Sequence, residues 1–255
     1  MSAIQSAAHW QRTTSLNKSN PGRLDPKGRV IMLSGANRGI GAAIAHRLRQ
    51  DGYRLSLGAR SPGALAGQQG DDCLCQPFGA LDPESPQAWA DATMEKYGRI
   101  DGLINNAGAA ALFGFEDGDE VKLDHMLEVN LKAPYRLIRA ALPHLRTSGN
   151  GRIVNITSPA GIRYKRGSPG YAITKFAAMG LSSAARGLLW DDGIRVTAVA
   201  PGPVNTDMMP QVGGLDRGDV SQPETIADVV ALILAMPNNA SVATVPINAV
   251  YEPLP

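Results

Sequence analysis

The chain has 255 residues, 44% of them hydrophobic and 19% charged, with a net charge of +2. That is the composition of a globular protein with a substantial core. No apolar run approaches the roughly 18 residues of a membrane span, and the basic residues are scattered, so neither a membrane nor nucleic acid is an expected partner. The two cysteines, Cys73 and Cys75, are too few for a zinc site and read as buried, reduced thiols of a reducing compartment, the cytoplasm.

Residues 1–28 stand apart. The stretch from Met1 to Leu24 has no acidic residue, is rich in Ser, Thr, Asn and Gln, and lacks the apolar core of a secretory signal. It reads as a flexible arm outside the fold. From residue 29 short apolar runs alternate with helical patterns. Strands are expected at 29–34, 53–59, 73–78, 101–107, 152–158, 195–201 and 243–250, and helices near 39–50, 84–97, 119–147, 170–189 and 223–236. The Gly-rich segment 61–70 leaves room for a helical stub only. Most of the strands are apolar on both faces, as parallel strands covered by helices on each side must be. The expectation is one α/β domain over 29–255, a Rossmann-type doubly wound parallel sheet of about seven strands, with ligands beyond the carboxyl ends.

"SGANRGIG" (34–41) lies directly after the first strand and opens the first helix. Gly35 permits the turn, Gly39 lets backbone approach a pyrophosphate, and Gly41 lets the helix pack on the sheet. The helix start then offers free N–H groups to phosphate. This Gly-x-x-x-Gly-x-Gly spacing resembles that of the short-chain dehydrogenase/reductase family, with Ser34 replacing its threonine. Further matches follow in family order: Asn105-Asn106-Ala107-Gly108, Asn130 in "VNLKAPY", Ser158 in "GRIVNITSPAG", Tyr171 and Lys175 in "YAITK", and Pro201-Gly202 in "APGPVNT".

The resemblance implies an NAD(P)-dependent oxidoreductase that transfers a hydride between nicotinamide and a carbonyl or alcohol carbon. It assigns Tyr171 as general acid/base, Lys175 as the cation that lowers the tyrosine pKa and holds the nicotinamide ribose, and Ser158 as the group that orients the substrate oxygen. The chemistry is sensible, because a phenol ionising near ~10 is a poor base at neutral pH without a nearby cation. Residues four apart on a helix share a face. Strand alternation sends Thr157, the rival hydroxyl, to the other side. Asn130 is expected to hold a water linking Lys175 to solvent, to bridge helix and sheet, or both.

The cofactor-binding set implied by the resemblance is Gly35, Arg38, Gly39, Ile40, Gly41, Arg60, Asn106, Ala107, Gly108, Tyr171, Lys175, Pro201, Gly202, Val204 and Thr206; no metal is expected. At the end of the second strand Ala59 is followed by Arg60 instead of a carboxylate, and Arg38 adds a second guanidinium. Both suit a ribose 2′-phosphate, so NADP(H) is favoured over NAD(H). Gly79 stands where relatives often have an adenine-contacting Asp, with Asp82 nearby as a substitute.

Tyr164, Met208 and Met209 occupy loops that usually line the substrate pocket, and the lid between Thr206 and Pro223 is short. The chain is more similar to relatives acting on small hydroxy acids, sugars or general carbonyls than to acyl-carrier-protein reductases. Small residues at Ala177, Ala178, Gly180 and Ala184 suit the helix contact of a homodimer or homotetramer. The alternative, a non-catalytic nucleotide-binding regulator or structural subunit of this fold, is disfavoured by the retained Ser158, Tyr171, Lys175 and Asn130.

Overall fold

The computed structural model describes residues 22–164, 167–209 and 216–251. Seven parallel strands form one sheet in the order β3-β2-β1-β4-β5-β6-β7. They are β1 (Val30–Ser34), β2 (Arg54–Ala59), β3 (Cys73–Pro77), β4 (Gly102–Asn105), β5 (Arg152–Ile156), β6 (Arg195–Pro201) and β7 (Thr244–Ile247). Six helices flank it among the described residues: α1 (Gly39–Gln50), α2 (Ser85–Tyr97), α3 (Glu120–Leu127), α4 (Ala133–Ser148), α5 (Pro169–Leu188) and α6 (Pro223–Ala235).

All five residues of β1 are buried because both sheet faces are covered. Ile31 and Leu33 point into a cluster with Ile44 of α1 and Ile226 and Val230 of α6. Met32 points the other way, into a cluster with Trp89 of α2, Leu137 of α4 and Ala185 of α5. The strand order reverses between β1 and β4, and this opens a crevice at the carboxyl ends of those strands.

The expected strands at 101–107, 152–158 and 243–250 overreach. β4 stops at Asn105, β5 at Ile156 and β7 at Ile247, where the chain leaves the ladder to form loops above the crevice. The single helix expected at 119–147 is corrected: α3 and α4 are separated by a π-turn at Glu128–Lys132. Pro134, within the first turn of α4, has no N–H for the ladder, and the turn widens around Asn130. The stub at 61–70 is a 3₁₀ segment, Pro62–Gln68. Of the N-terminal arm, residues 1–21 lie outside the described residues; Leu24 N donates to Ala235 O at 2.8 Å, at the end of α6.

Candidate active site

The glycine loop is held by Ser34. Its hydroxyl accepts from Asn106 N and Ala107 N, both at 3.0 Å. Asn106 Nδ2 donates back to Ser34 O at 3.0 Å and to Gly35 O at 3.1 Å. The ends of β1 and β4 are thus tied together, and serine performs this task without the methyl of threonine. Gly35 has φ +68 and Gly39 φ +53, values that favour glycine. Gly41 lies close against the residues that follow β1 and β4: a Cβ there would lie 2.6 Å from Asn106 Nδ2 and closer still to Gly35 O.

The first turn of α1 has no acidic residue, and its N-cap, Arg38, makes no side-chain cap. Its N–H groups and the positive end of the helix dipole therefore face the crevice with no internal anion. Ile40 is half-buried and packs beside the α1–α6 core. Arg38 and Arg60 are both exposed. Arg60 follows the last residue of β2, and Arg38 Nη1 lies 3.4 Å from Asp207 Oδ2. Gly79 N is taken by Ser85 Oγ at 2.9 Å, and Asp82 Oδ1 accepts from Glu84 N at 3.0 Å, so Asp82 is committed to its own turn.

After β6, Gly202 N donates to Ile247 O at 2.8 Å, which ties the Pro201-Gly202 turn to β7. Val204 is buried. Asn205 N bonds Ser221 O at 2.9 Å. Thr206 then comes back over the glycine loop: a Cβ on Gly39 would stand 3.1 Å from its Cγ2. Glycine loop and post-β6 segment therefore touch at two successive pairs, Gly39 with Thr206 and Arg38 with Asp207.

Tyr171 and Lys175 share a face of α5, with Lys175 Nζ 5.6 Å from the centre of the Tyr171 ring. Lys175 is buried, Tyr171 half-buried. The ammonium donates to Ile156 O at 3.3 Å, so the last residue of β5 anchors it. Two residues on, Ser158 is half-buried and its hydroxyl accepts from Ala160 N at 3.2 Å, starting the turn Pro159–Gly161. Thr157 is buried and donates to Val199 O of β6 at 3.1 Å. The turn after Ser158 presses on α5, since a Cβ on Gly161 would meet the Lys175 carbonyl group.

The Asn130 side chain joins the loop after β4 to α5. Oδ1 accepts from Ala109 N at 2.8 Å; Nδ2 donates to Ala109 O and Thr174 Oγ1, both at 2.9 Å. Thr174, fully buried, donates in turn to Tyr171 O at 2.9 Å. Thr174 escaped the sequence reading, because its partner Asn130 lies 44 residues away in the chain. Tyr164 OH bonds Gly167 O at 2.9 Å and Met208 is about half exposed, both on loops at this end of the sheet. Burial pushes the Cys73 thiol up to about 12 and raises Cys75 as well, so neither offers a thiolate near neutral pH. Among the described residues there is no group of three or more His, Cys, Asp or Glu placed to hold a metal.

Fold and site together define a dinucleotide-fold oxidoreductase with a helical Tyr/Lys pair at the strand ends. The family model for short chain dehydrogenases matches residues 29–214, and the chain belongs to that family. It is 40% identical over 217 residues to an agropine synthesis reductase of Rhizobium rhizogenes, covering 84% of this chain and 50% of that protein; the chain thus spans about half the length of that relative. It is 32% identical over 216 residues to oxidoreductase UcpA of Escherichia coli K12, with 82% and 81% coverage. Among solved structures, an alcohol dehydrogenase of Thermococcus sibiricus complexed with 5-hydroxy-NADP superposes with a TM-score of 0.79 at 29% identity, covering 88% of this chain and 98% of that one.

Proposed function

We propose that the chain transfers a hydride between a nicotinamide dinucleotide and a carbonyl or alcohol carbon, with Tyr171 as general acid/base. The observation that carries this reading is the buried Lys175 ammonium held 5.6 Å from the Tyr171 ring by one helix face. The cofactor, when bound, supplies or accepts the hydride. The rest falls to the chain. Ser158 orients the substrate oxygen, and the Tyr171 hydroxyl gives it a proton on reduction and takes one on oxidation. Lys175 spends one of its three donors on Ile156 O, which leaves two for the phenol and the ribose hydroxyls. Asn130 holds Ala109 and Thr174 in place beside them.

The uncapped start of α1, with Gly35, Arg38, Gly39, Ile40 and Gly41, receives the pyrophosphate. Asn106, Ala107 and Gly108 line the cofactor crevice beyond β4, and Pro201, Gly202, Val204 and Thr206 flank the nicotinamide. NADP(H) is preferred over NAD(H), because Arg60 occupies the end of β2 where a carboxylate would repel a 2′-phosphate. The archaeal relative's complex with 5-hydroxy-NADP supports the same choice. The substrate is a small carbonyl or alcohol compound. No helix among the described residues is long and apolar enough to cross a membrane, and the free thiols of Cys73 and Cys75 suit the reducing cytoplasm.

Assembly as a homodimer or homotetramer is supported by an exposed apolar stripe. Ile173 and Phe176 of α5 and Tyr135 of α4 are all more than two-fifths exposed, with Gly180 and Ala184 following on the same α5 face. Ala178 is buried in the subunit itself and does not belong to that stripe.

The test is Tyr171→Phe. It is expected to lower kcat by about 100-fold or more while leaving NADPH affinity within about threefold, measured by nicotinamide absorbance across a panel of aldehydes, ketones, sugars and hydroxy acids. A fully active Tyr171→Phe enzyme would remove the assigned proton donor.

A further inference from the structure

The chain after β4 runs along the first turn of α5 from Gly108 to Phe113, and it is pinned at both ends. A Cβ on Gly108 would lie 3.9 Å from Lys175 Nζ and 3.4 Å from Asn130 Oδ1. Next to it, Ala109 is gripped through both backbone polar groups by Asn130, which also bonds Thr174. At the far end the Phe113 ring sits against Gly170, so closely that a Cβ there would stand 2.8 Å from Cε2, 3.1 Å from Cε1 and nearer still to Cζ.

Ser168 supports the same contact. It stands at the N-cap of α5, yet its hydroxyl makes no cap and instead donates to Phe113 O at 3.2 Å. A residue suited to capping is thus spent on the loop. Glycine in the first turn of a helix is likewise a poor local choice. The diverted Ser168 hydroxyl and the glycine at 170 both meet Phe113, the first through its carbonyl and the second through its ring.

We propose that Phe113 is a positioning residue: seated on Gly170, it holds residues 108–113 as a fixed wall beside Tyr171 and so sets where a substrate oxygen meets that phenol. Gly170 is glycine because the ring occupies the place of a side chain. The proposal deepens the assignment of Tyr171 made above and rests on it for its kinetic consequence, but the docking itself does not.

The experiment uses the full chain and three variants, Gly170→Ala, Phe113→Ala and the two combined. Hydrogen exchange of amides 109–114, without ligand, reads the docking. Gly170→Ala is expected to speed exchange there about tenfold, because a methyl forced against a packed ring overpacks the contact. It should do so although alanine is the better helix former, which separates the effect from a weakened α5. The double variant should exchange no faster than Phe113→Ala alone, since the three atoms nearest to the methyl all belong to the ring. Unchanged exchange in Gly170→Ala, or fully additive effects in the double variant, overturns the docking.

Kinetics on any compound the wild type reduces then read the positioning. Gly170→Ala should lower kcat/KM about tenfold with NADPH affinity, followed by nucleotide fluorescence, within about twofold. Wild-type kcat/KM in a variant whose exchange has risen overturns the positioning role. A wild-type chain that reduces nothing in the panel overturns the assignment of Tyr171 and the positioning with it, while the docking is still judged by exchange alone.

Discussion

Among the described residues, three arginines are buried at the amino ends of the strands, Arg29, Arg152 and Arg195, and one lysine, Lys175, at the carboxyl ends. The arginines are spent on the fold. Arg152 donates to Gly151 O and Asn238 Oδ1 at 2.8 Å and to Met236 O at 2.6 Å. Arg29 reaches Asn150 O at 2.9 Å, and Arg195 reaches Asn238 O at 2.9 Å while stacking 3.8 Å from the Trp190 ring centre. Burial, reinforced by Arg29 and Arg195, pushes Arg152 down to about 9, so it stays charged at neutral pH, held by carbonyls from the loop before β5 and the segment after α6. Lys175 has a single long contact to Ile156 O at 3.3 Å and a tyrosine beside it. A buried cation by itself therefore says little about function. Arg29 and Arg152 each keep a buried Nε without a hydrogen-bond partner among the described residues, so what distinguishes Lys175 is the tyrosine beside it at the strand ends.

Paired variants at the two ends put this to the test. Lys175→Met is expected to cut kcat by about 100-fold or more with stability unchanged or raised, because a poorly compensated buried charge is removed. Arg152→Ala is expected to cost about 3 kcal/mol in urea unfolding, with turnover per folded molecule retained. If Lys175→Met unfolds as readily as Arg152→Ala, the two ends do not differ in the way described. A smaller effect is expected from Arg60→Asp, which should weaken NADPH binding about tenfold and NADH binding much less; equal losses would detach Arg60 from the 2′-phosphate.

The smallest effect lies again at the amino end. Cys73 begins β3, and burial raises its thiol from 9.0 to about 12. The unfolded chain releases that proton near 9.0 while the folded chain keeps it. The stabilisation is thus fully present below about pH 9 and is lost as pH rises toward about 12. Cys73→Ala should make the fall in unfolding free energy above about pH 9 shallower, by up to about 1.4 kcal/mol per pH unit. An identical slope would mean that other groups carry it.

Much of the fold is written in local pattern. Val30 to Ser34 is apolar on both faces and ends at a glycine, which already requires a covered strand and a turn. Pro223 followed by Glu224 marks the start of α6 as a helix start should be marked. The break at Glu128–Lys132 was not legible, because a proline in the first turn of a helix and a proline that widens an ongoing helix look alike in sequence. Tyr171 and Lys175 were legible through their spacing. Phe113 and Thr174 were not, since a phenylalanine in a loop and a threonine in a helix signal nothing until the loop is laid on the helix.

The order of apolar runs, the glycines of the turn after β1 and the four-residue spacing of Tyr171 and Lys175 are local properties, and the sequence alone determined them. Local spacing cannot express distance between segments far apart in the chain. Only the tertiary structure decided that Ser34 carries the amides of Asn106 and Ala107, that Asn130 grips Ala109, and that Gly170 lies under Phe113. Each of those depends on two segments meeting above the strand ends, and that meeting is set by how helices and sheet pack.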